Sequence, residues 1–150
     1  MKILFICHAN LCRSFMAQEI LKKCLPQFVV FSRGMYVDPT LPVPQKITDF
    51  LTRIGLPPAQ HQPTQLVEED LQQADFVFCM ETLHHARLLD RFAQYTDKIW
   101  LLNEFAWNKK TSIEDPIGLT GRAFDKQARE LVKTVEATAL RLTKEFPQRI

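Results

Sequence analysis
The chain has no surplus of either charge, no basic run, no long apolar stretch and no cysteine framework, and each absence closes a class of function. Its 19 Lys and Arg against 17 Asp and Glu leave a net charge of +2 over 150 residues. That is too small for the field that nucleic acid or an anionic membrane surface would require. No cluster of Lys and Arg forms the kind of tail that tracks a phosphate backbone. The apolar run at the N-terminus, within Lys2-Ile3-Leu4-Phe5-Ile6, is too short for a signal-peptide core or a membrane span, which predicts a cytoplasmic protein. The four cysteines, Cys7, Cys12, Cys24 and Cys79, do not have the density or spacing of a disulfide scaffold. A reducing compartment with one reactive thiol fits them better. Metal ligation is disfavoured as well. Cys7 and Cys12 lack a second spaced pair, and His84 and His85 are neighbours on an expected helix, so they face different directions. No repeat or low-complexity segment is present.

What the chain does have is a regular alternation of strand and helix signals over a length suited to one domain with its own core, residues 1–150. Strands are predicted at Lys2–Cys7, Phe28–Ser32, Asp75–Met80 and Lys98–Leu102. Helices are predicted at Ser14–Leu25, Pro44–Ile54, Thr82–Phe92 and Gly121–Phe146, with a short helical turn near Val67–Gln73. In the last helix Phe124, Ala128, Leu131, Val132, Val135, Ala139 and Leu142 recur at helical spacing and define one apolar face. Continuous apolar strands separated by helices argue for a parallel sheet covered on both faces. Right-handed crossovers then give an α/β fold: a small, doubly wound, Rossmann-like sheet of four parallel strands flanked by helices on both sides. Ligands of such sheets bind beyond the carboxyl ends of the strands.

Cys7-His8-Ala9-Asn10-Leu11-Cys12-Arg13-Ser14 falls at such an end, between the first strand and the first helix. A loop running into a helix has free backbone N–H groups, and the helix dipole adds positive potential to them. Five residues between Cys7 and Arg13 let those groups converge on one point. Arg13 can fork two N–H groups onto two oxygens of a phosphate, as lysine cannot. The same field favours the thiolate form of Cys7, and Ser14 can donate a hydroxyl hydrogen bond to it. Cys12, Cys24 and Cys79 are followed at the same offset by Gln18, Val30 and His85, so only Cys7 fits the pattern.

These residues resemble the opening of the low-molecular-weight protein tyrosine phosphatases: a strand, then Cys-x5-Arg-Ser with Asn at the third loop position and a second Cys before the Arg. The resemblance continues through Ser32-Arg33-Gly34, His61, Glu68-Glu69-Asp70-Leu71, Phe76-Val77-Phe78-Cys79-Met80-Glu81 and Leu101-Leu102-Asn103-Glu104-Phe105 to Ile113-Glu114-Asp115-Pro116-Ile117-Gly118. It implies a cysteine-dependent phosphatase that hydrolyses phosphotyrosine and small aryl phosphates through a phosphocysteine. Cys7 would be the nucleophile, Arg13 the phosphate clamp and Asp115 the general acid. His8, Ala9, Asn10, Leu11, Cys12 and Ser14 would form the substrate-binding loop. No cofactor or metal is implied. The partner would be a phosphotyrosine-containing protein, with neither nucleic acid nor membrane, and the enzyme a monomer.

The resemblance also implies supporting roles for His61, at Asn10 or a nearby carbonyl, and for Ser32. Cys12 is either a buried loop hydrophobe or a partner for a reversible disulfide with Cys7. Cys24 and Cys79 are expected to be inert core thiols. Four departures stand out: Ala9 where the family usually has Gly, Arg33 where a small residue is common, Thr64 in place of a frequent Arg, and aliphatic Ile117 after the Asp-Pro pair. Arg33 is expected to alter the cleft rim, and Ile117 to weaken aryl stacking, with Tyr36 a candidate to compensate.

Three other functions fit parts of the pattern. An arsenate reductase on this fold would need a relay thiol shortly after Cys79, and Ala86 and its neighbours offer none. A protein-arginine phosphatase tends to carry Thr after the loop Asn, where this chain has Leu11. A non-catalytic phosphotyrosine binder would not need Cys7, Arg13 and Asp115 together.

Overall fold
A computed structural model describes residues 1–149. Its four strands, β1 (Lys2–Cys7), β2 (Val29–Gly34), β3 (Phe76–Cys79) and β4 (Ile99–Leu101), form one parallel sheet in the order β2-β1-β3-β4. The helices are α1 (Arg13–Cys24), α2 (Gln45–Arg53), α3 (Glu68–Gln73), α4 (Thr82–Arg91), α5 (Leu102–Trp107) and α6 (Gly121–Glu145).

The two-residue period of β1 divides the core. Ile3, Phe5 and Cys7 point into a large cluster with Phe15, Met16 and Leu21 of α1, Phe50 of α2, Phe105 of α5, and Phe124, Leu131 and Val135 of α6. Leu4 and Ile6 point the other way, into a smaller cluster with Leu71 of α3, Val77 and Cys79 of β3, and Leu88 of α4. β1 is hydrogen-bonded on both sides and covered on both faces, which is why it reads as an unbroken apolar run. The chain leaves β1 for β2 on one side and crosses back to β3 on the other. The carboxyl ends of β1 and β3 therefore diverge, and a crevice opens between them.

The predicted elements stand within a few residues of their expected bounds, with one omission. α5 was not foreseen. It is six residues long and begins directly at the end of β4, so no turn residue announces it. Within α6 the apolar stripe is buried except for Val132, and two threonines join it. Thr134 and Thr138 return their hydroxyls to the carbonyls of Glu130 and Thr134 at 3.0 and 2.8 Å, so neither is left unpaired. Trp107 of α5 donates to Thr134 Oγ1 at 3.0 Å and ties α5 to α6.

β2 runs two residues past its expected end, because Gly34 pairs with Cys7 and bridges Gln65 on its other side. Gly34 N donates to Thr64 O at 3.0 Å and Gly34 O accepts from Leu66 N at 2.9 Å. A Cβ at Gly34 would lie 2.9 Å from the carbonyl carbon of Ala9, 3.0 Å from Asn10 N and 2.6 Å from Val37 Cγ2. The strand end and the loop after β1 are thus in backbone contact that only glycine allows. Gly34→Ala is expected to cost about 1–3 kcal/mol in chemical denaturation and to move the amide resonances of residues 8–12. Unchanged stability with those resonances in place would mean that Val37 alone absorbs the added methyl.

Candidate active site
The loop from His8 to Cys12 curls at the carboxyl end of β1, and its shape depends on Asn10. This residue is fully buried with a positive φ of 57°, a conformation asparagine tolerates better than most residues. Its side chain is satisfied in three directions. Nδ2 donates to Ser14 Oγ and to Ser32 Oγ, each at 2.9 Å, and Oδ1 accepts from Thr64 N at 2.9 Å. The Asn10 carbonyl accepts from His61 Nε2 at 2.8 Å. Ser32 Oγ donates in turn to Gln18 Oε1 at 2.7 Å. Because Ser14 Oγ already accepts from Asn10, its hydrogen is free to point at Cys7 Sγ, 2.9 Å away. The supporting roles expected for His61 and Ser32 are therefore present in the structure. Thr64, at a position where the family frequently has an arginine, serves through its backbone N–H.

Among the described residues, no backbone N–H from His8 to Cys12 donates to protein. Arg13 completes the ring of donors from the first position of α1, where it is 2% exposed. Its NH1 is committed, to Glu81 Oε1 at 2.8 Å and to the Ile113 carbonyl at 2.9 Å. Its Nε has no partner among the described residues, and NH2 has only a loose approach to Asp115 Oδ2 at 3.5 Å. The Nε–NH2 edge is one of the guanidinium edges that grip two oxygens of a phosphate side by side. The anchored nitrogen aims the arginine and the free edge waits for an anion.

A cavity of about 120 Å3 lies here, lined by Cys7, Ala9, Leu11, Cys12, Arg13, Pro44, Asp115 and Ile117. The structure thus brings Cys7, Arg13 and Asp115 together, as expected. It separates the other loop residues by task. Ala9, Leu11 and Cys12 line the cavity. Asn10 and Ser14 are buried beneath it. His8 turns outward and lies against Tyr36, with ring centroids 5.1 Å apart and planes tilted by 45°. Asp115 caps the short 3-10 turn Pro116–Gly118 by accepting from Ile117 N at 3.0 Å, which leaves its other oxygen toward Arg13. Burial, together with the charges of Asp115 and Cys7, pushes the Cys12 thiol up, so Cys12 rests as a thiol.

Three expectations are corrected. Cys24 is exposed at the end of α1, because the helix turns its last residue to solvent; Cys79 is fully buried, as expected. Arg33 does not reach the cleft. Its Nε pairs with Asp70 at 3.0 Å and its guanidinium lies over the Phe31 ring. Tyr36 does not line the cavity beside Ile117; Arg87 NH1 donates to its hydroxyl at 2.6 Å.

Glu81 and His84 were missed as site residues. Glu81 lies just past β3 at the same carboxyl end of the sheet where Cys7 closes β1, and that position was the available signal. Burial works against its charge, but the hydrogen bond and charge of Arg13, with His84 and His8, outweigh it and hold Glu81 below the usual carboxylate range. His84 Nε2 lies 3.6 Å from Glu81 Oε2 and 3.4 Å from His8 Nδ1, whereas His85 points to the Ile99 carbonyl. No group of three or more metal-ligating side chains occurs among the described residues. No helix there is long and apolar enough to cross a membrane.

A cysteine ringed by free N–H donors and a guanidinium edge, at the carboxyl end of a parallel sheet, defines the class of cysteine-dependent phosphatases. The low molecular weight phosphotyrosine protein phosphatase family model matches residues 2–148, and the chain belongs to that family. It is 30% identical to a protein-arginine-phosphatase of Geobacillus stearothermophilus over 145 residues, 96% of this chain and 97% of the relative. It is 28% identical to the low molecular weight protein-tyrosine-phosphatase PtpB of Staphylococcus epidermidis over 119 residues, covering 79% and 82% of the two chains. A solved Cys-to-Ser mutant of a YwlE arginine phosphatase, with that active-site serine phosphorylated, superposes with a TM-score of 0.89 at 25% identity, covering 98% of this chain and 99% of that one.

Burial lowers the proton affinity of His61 and of His84, against the opposing pull of Asn10 O on the first and Glu81 on the second. Both rings therefore take up a proton more readily in the unfolded chain. Their contribution to stability is complete above the ordinary value of 6.5 and declines as the pH falls below it. The urea midpoint is expected to drop between pH 7.5 and pH 5.5. A midpoint that held or rose over that interval would contradict this assignment.

Proposed function
We propose that the protein is a metal-independent phosphatase of phosphotyrosine, acting in the cytoplasm as a monomeric single domain. The observation that carries this reading is the convergence on one cavity of Cys7 Sγ, the open Nε–NH2 edge of Arg13, and the Asp115 carboxyl. The Cys7 thiolate attacks phosphorus, the bond to the phenolic oxygen breaks, and Asp115 gives its proton to the departing phenolate. Arg13 and the loop N–H groups hold the equatorial oxygens, so the positive charge needed in the transition state comes from the chain itself. Asp115 then takes a proton from water as its oxygen attacks phosphorus. The S–P bond breaks, and inorganic phosphate and the thiolate are released. Ser14, donating to Cys7 Sγ, stabilises sulfur both as the starting nucleophile and as the second leaving group. The phosphorylated active-site serine of the solved relative supports a phosphoenzyme on this scaffold.

The family includes phosphatases of tyrosine and of arginine. Leu11, Pro44 and Ile117 give this cavity apolar walls, which suit an aryl ring better than a guanidinium. A reductase is not supported, since Cys79 is sealed in the core of β3 and cannot relay electrons to Cys7.

A panel of phosphotyrosine, phosphoserine and phosphoarginine peptides, run with chelator, is expected to show turnover of phosphotyrosine first. Preference for phosphoarginine would overturn the substrate assignment. Cys7→Ser should abolish turnover and retain binding of inorganic phosphate, because the donors stay in place. Residual activity near that of the wild type would remove Cys7 as nucleophile. Asp115→Asn should slow hydrolysis of phenyl phosphate roughly 10²–10⁴-fold and slow para-nitrophenyl phosphate far less, since its leaving group departs without a proton. Equal losses on both esters without a burst of phenol release would leave Asp115 as a loop residue only, whereas equal losses with a burst would put the slow step at hydrolysis of the phosphocysteine.

Cys12 lines the same cavity as Cys7. Mild peroxide oxidising Cys7 to its sulfenic acid should let the Cys12 sulfur displace water and form a disulfide. Mass spectrometry should detect that linkage, and Cys12→Ser should lose recovery by dithiothreitol. Full recovery of the Cys12→Ser protein would count against a protective role.

A further inference from the structure
Lys46 is half-buried in the first turn of α2, far from Cys7 in sequence and outside the cavity. Its ammonium crosses to the segment that carries Asp115. It donates to the carbonyl oxygen of Ile117 and, at 2.9 Å, to that of Leu119. It also lies 5.4 Å from the centroid of the Phe124 ring. Among the described residues it has no carboxylate partner. A full positive charge is thus spent on two backbone carbonyls of one short turn.

That turn is the one Asp115 opens. Asp115 Oδ1 accepts from Ile117 N, and Leu119 N closes back on Pro116 O at 2.9 Å. The segment is tied upstream at Ile113, whose N–H reaches Met80 O at 2.8 Å and whose carbonyl is held by Arg13. Pro116 is buried and Leu119 packs half-buried against the core, but Ile117 and Gly118 between them are exposed, so apolar burial anchors the ends of the turn and not its middle. Segments of that kind open at low free energy unless polar contacts retain them. The only side-chain donor to the carbonyls of Ile117 and Leu119 among the described residues is Lys46.

We propose that Lys46 is a positioning residue for proton transfer to the leaving group: it latches the Asp115 turn onto α2 and keeps the carboxyl over the cavity. The proposal rests on the reading of Asp115 as general acid. Phosphate itself is gripped by Arg13 and the loop after β1, neither of which touches Lys46. Loss of the latch should therefore weaken protonation and leave phosphate binding intact.

The test uses Lys46→Met, which keeps the stem over Phe124 and removes the donors, and Lys46→Arg, which restores donors able to reach two carbonyls. For Lys46→Met, the first-turnover rate of phenol release from phenyl phosphate should fall roughly 10–100-fold, as for a displaced catalytic group, with inhibition by inorganic phosphate little changed. On the same first-turnover measure para-nitrophenyl phosphate should lose less than about threefold, because its phenolate needs no acid. Lys46→Arg should recover most of the difference. Hydrogen exchange at residues 117–120 should quicken in Lys46→Met and return to the wild-type rate in Lys46→Arg, a readout that does not depend on turnover. Asp115→Asn is run alongside. If Asp115→Asn discriminates between the two esters and Lys46→Met does not, the latch is overturned and the acid stands. If Asp115→Asn fails to discriminate, the acid reading falls and the positioning role falls with it. Equal losses on both esters in Lys46→Met, or unchanged exchange in the turn, would also overturn the proposal.

Discussion

Asn10 uses its side chain in three directions from a backbone conformation that few residues accept, and the geometry around Cys7 hangs on those bonds. One amide nitrogen organises two hydroxyls, and each hydroxyl can then donate in only one direction: Ser14 to the sulfur, Ser32 to Gln18. The amide oxygen draws the segment at Thr64 against the loop. Asn10, Ser14, Ser32 and Gln18 are all buried, where an unmatched donor or acceptor would cost more than at the surface. A network with every partner present is rigid for the same reason. It lets the outer side of the loop keep its N–H groups unpaired without the loop collapsing onto them.

The sheet supplies the second requirement, which is direction. Cys7 shares its face of β1 with Ile3 and Phe5, so the sulfur projects toward α1 and the large core. Gly34, opposite it in register, presses directly on the loop backbone. On the far side of the crevice, β3 delivers Glu81 to NH1 of Arg13. The proposed nucleophile Cys7, the arginine beside it and the carboxylate that holds that arginine are thus three consequences of one topology, the divergence of β1 and β3 at their carboxyl ends. Asp115 alone comes from elsewhere, on a turn whose position is set by side chains distant in sequence.

Local patterns made much of this legible before any coordinates. The strands could be read because their apolar runs are short and bounded, and α6 because its apolar residues keep helical spacing over many turns. The cysteine loop could be read because strand, thiol, arginine and helix are contiguous in sequence. What could not be read is what is not contiguous. Arg33 was assigned to the cleft rim because nothing near it in sequence points to Asp70, which captures it. Lys46 meets its acceptors across 71 and 73 residues and leaves no local mark. α5 is too brief to have a period. Cys24 was read as a core thiol because helix composition does not reveal which face the last turn presents.

The carboxylates around Arg13 have a consequence for how long the enzyme keeps its product. Glu81 and Asp115 both lie against the guanidinium, so the charge of the cation is offset before any phosphate arrives. A phosphate dianion entering it meets a cation whose charge is already largely compensated. Ground-state attraction for free phosphate is thereby blunted, whereas the donors remain aimed at the trigonal bipyramid formed during transfer. Binding energy that would otherwise trap inorganic phosphate is held back for the transition state. On the proposed reaction, such a site is suited to releasing inorganic phosphate rather than retaining it.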